Sequence, residues 1–60
     1  MKVVNVKADE VFKMLAHGTE VYVTNPKDDI LVNLFYETVN EVHDYITDSI
    51  YAFFIMESED

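Results

Sequence analysis

Sixty residues, half of them apolar, with no cysteine and a formal net charge of −8, define one domain near the lower limit for independent folding, where about 60% of the unfolded surface is buried. Four Phe and four Tyr make the chain too apolar for disorder, and the missing cysteines exclude disulfides and thiolate metal sites. No apolar run reaches the roughly 20 residues of a membrane span, and Met1-Lys-Val-Val-Asn5 lacks the apolar stretch of a secretory leader, so a soluble, cytoplasmic chain is expected.

In chain order, Lys2 to Val6 alternates as a short strand. From Ala8 the period changes: Ala8, Val11, Phe12 and Leu15 fall on one helical stripe, Asp9 and Glu10 suit a first turn, and Gly18 supplies a stop. This predicts a helix over about residues 8–17. Glu20 to Thr24 alternates again and Asn25-Pro-Lys-Asp-Asp29 is turn chemistry. Ile30 to Phe35 then reads as the returning strand of an antiparallel hairpin. Thr38-Val-Asn-Glu41 matches a capping box and predicts a second helix over about 38–47. Ile50 to Met56 is apolar at nearly every position, so this strand needs cover on both faces: it is central in the sheet, or an interface. Residues 57–60 form a charged tail expected to fray.

The predicted fold is a single α+β domain over residues 1–60, of β-α-β-β-α-β order, with two helices and a three- to four-stranded, mostly antiparallel sheet. If Ile50, Ala52, Phe54 and Met56 face the helices, then Tyr51, Phe53 and Ile55 face the other way and form a self-association surface. A homodimer is expected when both helices lie on one face of the sheet, since something must cover the other; one helix on each face removes the need.

Charge is distributed unevenly. The first 27 residues hold all four Lys against three carboxylates, whereas Asp28 to Asp60 hold nine carboxylates and no Lys or Arg. On a helical wheel Glu37, Glu41, Asp44 and Asp48 cluster within roughly 60°, rising roughly 4.5–6 Å per step, a spacing of the same order as that of nucleic-acid phosphates. With Asp28 and Asp29 in the turn, these residues form a candidate partner-binding surface for a basic protein. A solvated face serving solubility, or adaptation to high salt, would produce the same acidity. The field repels nucleic acid and anionic lipid, so direct contact with either is not expected.

Catalysis finds little support. His17 and His43 have no second His at i+3 or i+4, Asp28 and Asp29 lack calcium-loop spacing, and Ser49 and Ser58 stand in no nucleophile motif. One glycine in all excludes a phosphate-cradling loop. Neither enzyme activity, a metal nor a cofactor is expected.

Val6-Lys-Ala-Asp-Glu-Val-Phe-Lys-Met-Leu15, Gly18, Glu20-Val-Tyr-Val23 and Phe53-Phe54 together resemble the short acidic proteins of phages and mobile elements of Gram-positive bacteria. That group includes small inhibitors of host defence, anti-CRISPR proteins among them, some of which resemble DNA in charge layout. The resemblance implies an acidic inhibitor, a possible DNA mimic, that docks on a basic or nucleic-acid-binding host protein; it assigns no residue a role. The alternative from the residues themselves is a homo-oligomeric structural or regulatory module acting through its last strand.

Overall fold

The computed structural model of the chain describes residues 2–58. Four strands, β1 (Lys2–Val6), β2 (Tyr22–Asn25), β3 (Ile30–Asn33) and β4 (Ala52–Glu57), and two helices, α1 (Val11–Ala16) and α2 (Val39–Thr47), follow in the order β-α-β-β-α-β. The sheet is antiparallel throughout, in the order β1-β4-β2-β3, so the apolar last strand is central.

Each element ends where local chemistry ends it. The first helical segment opens as a 3-10 turn over Ala8–Glu10 before α1. It closes at Gly18, whose φ of 83° lets its N–H reach the Leu15 carbonyl at 3.0 Å while the Thr19 N–H reaches Met14 at 3.0 Å, the paired bonds of a Schellman stop. The β2–β3 turn is built on Asn25, which is buried. Its Oδ1 accepts the Lys27 N–H at 3.0 Å and its Nδ2 donates to Asp28 Oδ2 at 3.1 Å. Asp29 completes the turn in the left-handed region at φ 51°.

β3 stops at Asn33, two residues before the predicted end, because the Asn33 Oδ1 accepts the Phe35 N–H at 3.0 Å and turns Leu34–Tyr36 into a 3-10 segment. Thr38 caps α2, its hydroxyl accepting the Glu41 N–H at 3.2 Å. At the other end Asp48 Oδ1 accepts the Ile50 N–H at 3.3 Å, an Asx-type turn that delivers the chain to β4.

The register fixes which face is core. Phe53 of β4 stands opposite Val6 on one side and Val23 on the other, and Ile55 stands opposite Val4. Directly opposed residues share a face. Val6, Val23, Phe53 and Ile55 are buried in one cluster with Val11 of α1, Val42 of α2, Val21 and Leu34, so both helices lie on that face of the sheet. The expected parity of β4 is thereby reversed: Phe53 and Ile55 point to the helices, Tyr51 packs against the same core, and Ala52, Phe54 and Met56 take the opposite face. A strand apolar at every position carries no period-2 signal, and the neighbouring strands decide its parity.

Two further expectations change. Phe12, placed on the inner stripe of the first helix, is exposed and Met14 packs inward. Of Val39, Val42 and Ile46, which are spaced as one apolar face of the second helix, Val42 is core and Ile46 packs against it as expected, while Val39 is exposed and Tyr45 packs inward. Glu57, expected in a frayed tail, is the last residue of β4 and stands opposite Lys2; Glu59 and Asp60 lie outside the described residues.

Candidate functional site

Two surfaces stand apart from the core. The first lies on the helix layer. Glu41 and Asp44 are exposed on α2, and Asp48, its exposed C-terminal cap, follows on the same side. Together with Tyr45 and Tyr51 they line one open depression of about 370 Å³. The rings of Tyr45 and Tyr51 meet edge to face, with centroids 4.9 Å apart and planes at 81°. α2 supplies Tyr45 one residue after Asp44, and the Asp48 turn returns Tyr51 beside it.

The electrostatics of this depression register in Tyr45. Burial, then the neighbouring Tyr51, then Glu37 and Glu41 push its hydroxyl above the ordinary value of 10.0. Each of these disfavours a phenolate, so the group remains a neutral donor well beyond physiological pH. No basic residue stands in the last turn of α2; Asp44 and Asp48 therefore face the negative helix end without local compensation, at a cost of a few tenths of a kcal/mol each.

The structure divides the predicted acidic set. Glu41, Asp44 and Asp48 come together. Glu37 precedes the Thr38 cap in extended backbone (φ −100°, ψ 161°), so the helical wheel does not apply to it. It is half-buried and lines a neighbouring groove with Phe12, Leu15 and Val42, yet stands close enough to act on Tyr45. Asp28 and Asp29 belong to the β2–β3 turn and do not line the depression; Asp28 accepts the Asn25 hydrogen bond.

His17 ends α1 and His43 stands on α2, both exposed, and the His43 carbonyl accepts the Thr47 hydroxyl at 2.8 Å. Ser49 lies in the turn before β4 and Ser58 follows that strand. Among the described residues no three His, Asp or Glu side chains group so as to hold a metal ion.

The second surface is the sheet face that carries no helix. Tyr22 and Phe54, opposed across β2 and β4, stack with centroids 5.5 Å apart and planes at 18°. Asn5 and Asn33 extend that row to the two edge strands. Around it Val3 is 60% exposed, Leu31 61% and Met56 39%. Tyr51, Phe53 and Ile55, the residues expected to self-associate, are not part of this face.

The Tyr45–Tyr51 pair is legible in the sequence only as two aromatics flanking a helix end, a signal too common to single out. The Tyr22–Phe54 stack depends on strand register, which no local pattern prints.

The chain matches no protein-family model, and no curated protein and no solved structure matches it. Among the described residues no helix is long and apolar enough to cross a membrane.

Proposed function

We propose that this protein is an acidic binding module, acting in the cytoplasm of a bacterial host, that docks its α2 face on a basic or nucleic-acid-binding protein and so inhibits it, as a phage or mobile-element anti-defence factor would. The observation that supports this is the exposed set Glu41, Asp44 and Asp48 around one depression, in a stretch from Asp28 onward that has no Lys or Arg. Asp44 and Asp48, at the negative end of α2 with no basic residue in its last turn, weaken the helix that bears them, which solubility alone does not require. A complementary basic surface offsets that repulsion and is drawn in by the long-range field.

The test is capture of partners from a Gram-positive host lysate on the tagged protein, with low-salt and then high-salt washes. Elution of one basic or DNA-handling protein by salt supports the reading. The double reversal Glu41→Lys and Asp44→Lys is expected to abolish that capture while leaving the circular dichroism spectrum and melting temperature intact; capture that persists through high salt and through the double reversal refutes it.

The uncovered sheet face favours a second reading, a self-associating interaction module. Here sedimentation of the purified protein at increasing concentration shows a dimer that Phe54→Ser or Met56→Ser dissolves, while the Glu41 and Asp44 reversals leave it unchanged.

A further inference from the structure

We propose that the depression between Tyr45 and Tyr51 is a receptor for a single arginine side chain of the partner. The proposal rests on the docking reading above and specifies the chemistry that docks. What carries it is the aromatic corner rather than the carboxylates: two rings with centroids 4.9 Å apart and planes at 81° stand as walls of a cavity of about 370 Å³. An aromatic face attracts a cation through the ring quadrupole. Glu41, Asp44 and Asp48 border the same cavity and add acceptors for the cation's N–H groups. Rings and carboxylates thus select the same sign of charge, and both repel phosphate.

The choice of guanidinium over ammonium follows from shape. A planar guanidinium stacks on one ring while its edge donates two parallel hydrogen bonds to a carboxylate, whereas a lysine ammonium is a strongly hydrated point charge that does neither. A metal ion needs carboxylates converging on one point, and no such group of three exists among the described residues.

The experiment titrates two short peptides of equal net charge, one carrying arginines and one lysines, into the full-length protein at low salt, followed by nuclear magnetic resonance. The arginine peptide is expected to bind about two- to fivefold more tightly, through the planar stacking and paired hydrogen bonds that an ammonium lacks. Its side-chain methylene protons should shift upfield in the ring currents, and the Tyr45 and Tyr51 ring resonances should move. Tyr45→Leu and Tyr51→Leu should each erase the preference. The upfield shift is read on the unsubstituted protein, so it stands even where a variant loosens the fold. Equal affinities without ring shifts, both lost in the Glu41→Lys and Asp44→Lys double variant, overturn the arginine receptor and leave acidic docking in place. Binding of neither peptide also overturns it, and lysate capture then decides the docking reading separately.

Discussion

Phe53 and Phe54 are adjacent in sequence and opposite in structure, and truncating each to Ala measures which face of the sheet is core. Phe53 is 6% exposed and sits between Val6 and Val23 on the two flanking strands. Phe53→Ala removes a buried ring and leaves a cavity that both strands border, at a cost of about 3–5 kcal/mol. A 60-residue domain has about 3–9 kcal/mol in total, at about 0.05–0.15 kcal/mol per residue, so this variant is expected to lose a third of its stability or more and, at the low end of that range, to unfold without denaturant. Phe54 is half-buried on the open face and stacks on Tyr22 at 5.5 Å. Its truncation forfeits about 0.5–1.5 kcal/mol of ring pairing and part of its apolar burial, about 2 kcal/mol altogether. Urea unfolding followed by circular dichroism, repeated across protein concentrations to separate any contribution from self-association, reads both values. If Phe54→Ala proves as costly as Phe53→Ala in dilute solution, the register that places Phe53 against Val6 and Val23 is wrong by one residue.

The other predictions concern helix ends, turns and titration. Thr38→Ala deletes the hydroxyl that accepts the Glu41 N–H at 3.2 Å and is expected to cost about 1 kcal/mol in urea unfolding. Gly18 and Asp29 occupy left-handed backbone, at φ 83° and 51°. Gly18→Ala should destabilise by about 1 kcal/mol although open space surrounds its Cβ position, whereas Asp29→Gly should be neutral to stabilising by up to about 1 kcal/mol. Tyr45 has its folded pKa raised above the ordinary value of 10.0, so the fold favours the neutral phenol. Its contribution is fully present below pH 10 and is lost as pH rises through the folded pKa. Thermal melts across the alkaline range should show that loss, and Tyr45→Phe should reduce it.

The elements most legible in the sequence are those with local chemistry. Gly18, Asn25 with Pro26, and Thr38 each announce a stop, a turn or a cap, and each performs that work through a hydrogen bond or a backbone angle within five residues. Helix faces were legible only in part. Val11, Val42 and Ile46 pack inward as their spacing implies, but Phe12 and Val39 sit at the margins of their stripes and are exposed, while Met14 and Tyr45 pack against the core. The parity of β4 was not legible, because Ile50 to Met56 offers apolar residues to both faces and only pairing with β1 and β2 distinguishes them. The acidic set was half legible. A wheel drawn from 37 to 48 assumes a continuous helix, and the Thr38 cap takes Glu37 off it, while Asp48 keeps its side through the cap geometry itself.

The layer arrangement also bears on which surface does the binding. With both helices on one face, the opposite face of four strands, four to six residues long, spans roughly 16 by 19 Å at about 4.8 Å between strands and about 3.3 Å per residue. That is about 300 Å², a patch within the range that ordinary monomers expose, and less than half of the roughly 800 Å² that each partner contributes to a stable interface. Two copies brought together there also carry eight net negative charges each, so their approach is opposed at low salt and eased as salt screens it. The proposed docking of the α2 face on a basic partner would respond in the opposite sense, tightening as salt falls. Self-association through the sheet face is therefore expected to be weak and promoted by salt, whereas the proposed docking on the helix face, with its carboxylates and perpendicular tyrosines, is expected to tighten as salt is lowered. The two layers are opposite faces of the molecule, so a partner on α2 leaves the sheet free, and occupation of one surface does not preclude the other.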